Sequence, residues 1–180
     1  MAHPEQRAWV EKAKELHPDH FKGVRVLEAG SADINGTSRY LFEDSFTIGC
    51  DLATYAGVDV VCRVHELPFV DRWFDTIICC EMLEHDWSWP ASVAKMARLL
   101  KPDGLLVMTW AGPGRKEHGT YRTSKRSSLS AQGELPNYYR NLTFAEVFEQ
   151  LRAAHGKWTE EHVEDTLRND VYFMGVKSLG

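Results

Sequence analysis

The chain has 180 residues, 43% of them apolar and 26% charged, with a formal net charge of −5; this is the length and balance of a single globular domain over residues 1–180, able to bury a core. The acidic balance gives no global field to attract nucleic acid or anionic lipid, and no apolar run approaches the roughly 20 residues that span a bilayer. The N-terminal MAHPEQRAWVEKAKEL is charged, unlike a signal peptide, and Cys50, Cys62, Cys79 and Cys80 form no CxxC pair, so reduced thiols, a cytoplasmic location and no metal site are expected.

Residues 8–16 read as a helix, with Trp9, Ala13 and Leu16 near helical spacing, ended before Pro18 because the residue preceding proline avoids helical backbone. Apolar runs at 24–29, 46–51, 58–64, 75–80 and 105–110 are predicted strands. Several are apolar throughout, as in strands covered on both faces. In WPASVAKMARLLKPDG, Val93, Met96, Ala97 and Leu100 follow helical spacing, Pro90 suits the first turn, and Pro102 with Gly104 stops the helix. Strands alternating with helices predict a parallel α/β sheet. Residues 112–132 form one long polar stretch, the kind that in a compact domain serves function or stays disordered. Thr143 with Glu146 makes a capping box for a helix through Phe144, Val147, Phe148 and Leu151. Strand-like runs at 157–166 and 171–178 are joined too closely for anything but an antiparallel hairpin.

In open α/β sheets, ligands bind beyond the carboxyl ends of the strands, which places the turn after the first strand at a candidate site. There the chain reads Glu28, Ala29, then Gly30-Ser31-Ala32-Asp33-Ile34-Asn35. Only the first glycine of a dinucleotide fingerprint is present, and the Gly-Lys-Ser/Thr of a phosphate-binding loop is absent. Carboxylates at 28 and 33 would repel a pyrophosphate. A ligand with positive charge and no phosphate fits better, and S-adenosylmethionine is one. Asp51 ends the second strand 23 positions beyond Glu28 (51 − 28), close to the spacing of about 20 at which a carboxylate meets ribose hydroxyls in related folds. The plainer reading makes Glu28 a turn cap and Asp51 a solvated strand end.

VLEAGS, IGCDL, HELPFVDRWFDTIICCEMLEH and RLLKPDGLLVMTW together resemble the motif series of class I S-adenosylmethionine-dependent methyltransferases, of the small type 11 kind, over nearly the whole chain. The resemblance implies a Rossmann-like, seven-stranded, mostly parallel sheet with helices on both faces and a C-terminal antiparallel hairpin. It implies that Gly30 and Ser31 lie under the methionine part of the cofactor, with Glu28 toward its ammonium. Asp51 would take the ribose diol and Leu52 the adenine face. Val64 and His65 would stand at the adenine edge, and Cys80 and Glu81 beside the methionine part. Two positions depart from the family: Ala32 stands where a second glycine is usual, and Arg63, which cannot accept a hydrogen bond, stands where an aspartate is usual.

A base is needed only if the acceptor keeps its proton at neutral pH. His85 and His118 are the catalytic candidates, with Glu81 and Glu84 behind them; the plainer reading of each histidine, and the commoner one, is a capping or solvent-facing imidazole. Cys79 and Cys80 lie in an apolar strand, which makes thiols inert. Arg115, Lys116, Arg122, Lys125 and Arg126 in the polar stretch could hold an anionic group, and Tyr121, Tyr138, Tyr139 and Arg140 could wall the acceptor. The expected partner is therefore a small, polar, anion-bearing acceptor, with no membrane. A nucleic-acid acceptor is disfavoured by net charge and by the Cys80-Glu81-Met82-Leu83 run, where base-amino methyltransferases carry an Asn/Asp-Pro-Pro-aromatic motif. Binding without catalysis is the third alternative.

Overall fold

The computed structural model describes residues 4–179. Seven strands, β1 (Arg25–Ala29), β2 (Phe46–Asp51), β3 (Val60–Val61), β4 (Phe74–Cys80), β5 (Leu100–Ala111), β6 (Trp158–Asp165) and β7 (Asp170–Lys177), form one sheet in the order β3-β2-β1-β4-β5-β7-β6. The first five strands run parallel. β7 inserts antiparallel between β5 and β6. The two halves of the parallel sheet diverge at β1 and β4, so the topological switch point lies there, where a crevice opens.

The unbroken apolar runs follow from cover on both faces. Ile77, Leu106 and Phe173 pack into one core, while their strand neighbours Ile78, Leu105, Val107, Tyr172 and Met174 pack into the other, as the period of two requires. On the first face lie α2 (Trp89–Leu99) and α4 (Phe144–Ala154). Val93, Met96 and Ala97 of α2 and Val147 and Leu151 of α4 are buried there. On the second lies α1 (Pro4–Leu16), contributing Trp9, Val10 and Ala13. The capping box is formed: Thr143 Oγ1 accepts from Glu146 N at 3.2 Å, and Glu146 Oε2 accepts from Thr143 N at 2.8 Å. Lys177, buried in β7, donates Nζ to the carbonyls of Ala97 (2.7 Å) and Leu100 (2.8 Å), which satisfies the C-terminal carbonyls of α2 with a cation.

Two expectations need correction. The strand expected at 58–64 is only Val60–Val61, because it pairs with just the last two residues of β2, and Val64–Glu66 turns into a 3₁₀ helix. Regular alternation of strand and helix also fails: the β1–β2 connection carries only the 3₁₀ turn Arg39–Leu41, and that face is closed by α1 and Phe21, which stacks on Phe42 at 4.7 Å. Within 112–132 the chain is neither featureless nor wholly exposed. It holds a short helix, α3 (Tyr121–Ser124), and the 3₁₀ turn Ser130–Gln132, with Thr120 and Ala131 fully buried.

Candidate active site

Beyond the carboxyl ends of β1, β2 and β4 lies a cleft of about 350 Å³, within the range of small-ligand pockets. The turn after β1 shapes one end. Gly30 has φ +73°, and a Cβ there would stand 2.9 Å from Met82 Cβ, so glycine is required both by conformation and by space. Gly30 N and Ser31 N donate to Cys50 O at 2.9 and 3.1 Å. The Asp51 carboxylate then receives Ala32 N (3.0 Å) and its own neighbour Leu52 N (2.7 Å). Burial pushes its carboxyl up and these two amides pull it back, burial prevailing.

Of the residues singled out for the cofactor, Gly30, Asp51, Leu52, Val64, Cys80 and Glu81 lie on the cleft wall, as do His85 and His118. Glu28, Ser31 and His65 do not. Glu28 is buried, and its carboxylate accepts Ser38 N (2.8 Å), Ser38 Oγ (2.8 Å) and Thr37 Oγ1 (2.9 Å), with Arg39 Nε at 3.4 Å. It ties the 37–39 segment to β1. Ser31 is buried, and His65 sits on the Val64–Glu66 turn. Arg63 does reach the cleft, held by Glu134 at 2.9 Å and set over the Trp87 ring. All four cysteines are free, and burial pushes the Cys80 thiol up to about 12, which keeps it from acting as a nucleophile.

The other end of the cleft is built from distant segments. Glu81 follows β4 with φ 51°, a conformation uncommon for a non-glycine residue, and its N–H donates to Thr109 O at 2.9 Å. The turn Leu83–His85 follows, with Glu84 fully buried. His118, from the loop after β5, meets this turn: its Nε2 lies 3.6 Å from Glu81 Oε2 and 3.6 Å from Glu84 Oε1, and its ring packs edge-on to His85 at 5.3 Å. Tyr139 completes the group, its hydroxyl 3.2 Å from His118 Nδ1. Gly119, at φ +61°, lets the loop pass, since a Cβ there would fall 2.7 Å from His85 Cε1. Burial and the neighbouring His118 charge push His85 down to about 4, so it is neutral. Burial disfavours charge on His118 too, but Glu81 and Glu84 outweigh it and raise its imidazolium.

The basic stretch contributes to the cleft unevenly. Of its five cations only Arg115 lines the cleft, and it lies 3.1 Å from the buried carboxylate of Asp170. Arg122 pairs with Glu117, and Lys125 sits over the Tyr121 ring. Ser127, Ser128, Leu129 and Ser130 of the same stretch do line the cleft, as a lid would. Asp170 was not legible as a site residue: it lies at the start of β7, and only the pairing with Ala111 brings it here.

A family described as a methyltransferase domain matches residues 1–151. The chain is 31% identical over 121 residues to the probable tRNA methyltransferase 9B of Mus musculus, covering 59% of this chain and 26% of that protein. It is 29% identical over 155 residues to a probable S-adenosylmethionine-dependent methyltransferase of Mycolicibacterium smegmatis, covering 81% of this chain and 54% of that protein. The chain thus spans between a quarter and about half of these relatives' lengths. Among solved structures, phosphoethanolamine N-methyltransferase 2 of Haemonchus contortus in complex with S-adenosyl-L-methionine superposes with a TM-score of 0.69 at 18% identity, covering 97% of this chain and 52% of that one.

Proposed function

The chain belongs to the class I S-adenosylmethionine-dependent methyltransferases, and we propose that it binds S-adenosylmethionine in the cleft above and transfers the methyl group to a small polar acceptor at the Glu81–His118 end. The observation that carries the reading is the Asp51 carboxylate, held by two backbone amides at the cleft wall beside a turn that admits only glycine at position 30. The residues fit the cofactor's chemistry. Asp51 would accept the ribose hydroxyls, Leu52 and Val64 would contact the adenine, and the backbone after Gly30 would meet the methionine part. Bound there, S-adenosylmethionine supplies a methyl group on a sulfonium leaving group; the protein's task is alignment and exclusion of water. The lid residues Ser127 to Ser130 serve the second task.

The acceptor end is acidic, with Glu81, Glu84 and Asp170 around it. Buried carboxylates repel an anionic acceptor group, so a hydroxyl or amine is favoured over the anion that the basic stretch suggested. A nucleic-acid acceptor is the second reading, favoured by the tRNA methyltransferase relatives and by exposed Arg122, Lys125 and Arg126 near the lid. Among the described residues no helix is long and apolar enough to cross a membrane; with four free thiols, a cytoplasmic setting belongs to the same proposal.

Calorimetric titration with S-adenosylmethionine, S-adenosylhomocysteine and NAD tests the cofactor. One equivalent of each adenosyl ligand binding, and no NAD, is expected; NAD binding without an adenosyl signal would overturn the reading. Methyl transfer to a total tRNA fraction that exceeds transfer to a small-molecule panel would favour the second acceptor.

A further inference from the structure

We propose that Glu84, His85 and His118 form a site for one divalent first-row metal ion at the acceptor end of the cleft, where the sequence alone gave no reason to expect a metal. One ligand atom from each lies within 4.8 Å of the others. Glu84 Oε1 is 3.6 Å from His118 Nε2 and 3.9 Å from His85 Nε2. Ligand atoms each about 2.1 Å from a common ion are roughly 3.0–3.4 Å apart at octahedral or tetrahedral angles, so Glu84 and His118 would close by about 0.2–0.6 Å and Glu84 and His85 by about 0.5–0.9 Å.

Two independent features point to a cation. Glu84 is 0% exposed, and among the described residues neither of its carboxylate oxygens takes a hydrogen bond. At 3.6 Å the His118 ring is an ionic neighbour but too far for a short hydrogen bond, so the buried carboxylate is only partly compensated. His118 is also oriented as a metal ligand is. Its Nδ1 lies 3.1 Å from Lys116 O, which leaves Nε2 as the nitrogen that faces Glu84 and Glu81. A ligating histidine is held by its other nitrogen in this way. Two carboxylates facing one imidazole nitrogen call for a positive centre between them: the imidazolium proton when no ion is bound, and the ion that displaces that proton when one is. The backbone is shaped for the meeting: Glu84 and His85 are adjacent on one 3₁₀ turn, and Gly119 lets His118 approach because a Cβ there would stand 2.9 Å from His85 Nε2.

Two imidazoles with a carboxylate suit manganese, cobalt or zinc better than magnesium or calcium, which prefer all-oxygen sets. Three protein ligands leave a coordination position open. His85 and His118 both line the cleft, so that position faces the acceptor. Resting on the methyl-transfer reading, the ion selects a hydroxyl acceptor. The O–H bond breaks with its proton passing to water, the S–CH₃ bond breaks with its electron pair staying on sulfur, and an O–CH₃ bond forms.

The test is titration of chelator-treated chain with Mn²⁺, Co²⁺ and Zn²⁺, with S-adenosylhomocysteine affinity measured on the same samples. Expected are about one equivalent of ion, a visible absorption band with Co²⁺, and at least tenfold weaker binding in Glu84→Gln and in His118→Ala but not in the distant His17→Ala. Because Glu84 is buried and its variant could unfold, His118→Ala, on a half-exposed loop residue, decides the matter alone if circular dichroism shows only it to be native. No stoichiometric ion, or an ion indifferent to these variants, overturns the site. If S-adenosylhomocysteine still binds in that case, the methyl-transfer reading survives; ion binding without any adenosyl ligand would sink that reading and keep the site.

Discussion

Glu28→Gln separates a structural carboxylate from a cofactor ligand, because the two roles move different observables. In the structure the Glu28 carboxylate is 6% exposed and receives three donors, Ser38 N, Ser38 Oγ and Thr37 Oγ1, all within 2.9 Å. Arg39 Nε lies 3.4 Å away, and the same guanidinium reaches Gly57 O and Asp59. Glutamine matches the shape but removes the charge, and it turns an NH₂ toward groups that are themselves donors. At least one buried donor then loses its acceptor, and the rest lose charge assistance. Losses of about 1.5–3 kcal/mol for a charged bond, with a smaller term for the others, give about 2–4 kcal/mol of destabilisation. For a domain of this size that lowers the melting temperature by roughly 4–16 °C. Urea and thermal unfolding measure the stability, and calorimetry on the still-folded variant measures S-adenosylhomocysteine affinity, expected within about fivefold of the parent. Parent-like stability with affinity reduced more than tenfold would refute this account and return Glu28 to the cofactor.

Asp51→Ala is expected to weaken S-adenosylhomocysteine binding by about 1.5–3 kcal/mol, the scale of lost charge-assisted hydrogen bonds; unchanged calorimetric affinity would remove Asp51 from the site. Because Asp51 also receives Ala32 N and Leu52 N, a stability loss of about 1 kcal/mol in urea accompanies it. Gly30→Ala should lose about 1–2 kcal/mol for the left-handed backbone alone, and more from the 2.9 Å approach to Met82 Cβ; a urea midpoint equal to the parent's would contradict the turn geometry. Burial, then the charge of Glu81, lift the Asp170 carboxyl to about 6, above the ordinary value of about 3.9. A raised value in the folded state means that its contribution to stability is complete below about pH 4 and is lost as pH rises through 6. Unfolding free energy of the parent relative to Asp170→Asn should therefore decline from pH 4.5 to 7.5, and a flat difference would show the carboxyl to be ordinary.

What could be read in advance was whatever the local chain decides. Strand runs such as 75–80 announced themselves because apolar residues on both parities must be covered on both faces, and Ile77 and Ile78 do enter opposite cores. The Thr143–Glu146 capping box is a contact between residues three apart, so the pattern and the bond are nearly the same statement. Asp51 reaches the cleft because a residue at the carboxyl end of a parallel strand lies at that edge whatever surrounds it. Glu28 met the same rule, yet its carboxylate is taken up by Thr37 and Ser38, which arrive from a segment whose path no periodicity describes. The expected strand at 58–64 failed for a related reason: apolar content was read, but the length of a strand is set by how much of its neighbour it can pair with, here Cys50 and Asp51 only.

The two ends of the cleft differ in how they are built, and this bears on where specificity resides. The Asp51 end is made from consecutive backbone: β1, its turn and β2 are hydrogen-bonded neighbours, and their register (Ala29 beside Cys50) fixes the wall. The other end joins Glu81 to His85, Arg115 to His118, Tyr139 and Asp170, which meet only through tertiary pairing. The antiparallel insertion of β7 beside β5 is the decisive step, since it sets Asp170 opposite Ala111 and lets Gly112 N donate to Asn169 O at 2.8 Å. The base of the lid is thereby fastened to the hairpin turn, and Arg140 N, donating to Glu84 O at 2.9 Å, fastens the chain beyond the lid to the floor. On the proposed reading, a shared cofactor would constrain the first end to one shape. The second depends on loop and hairpin contacts that can change without disturbing the parallel sheet, so it is the end at which one acceptor would be exchanged for another.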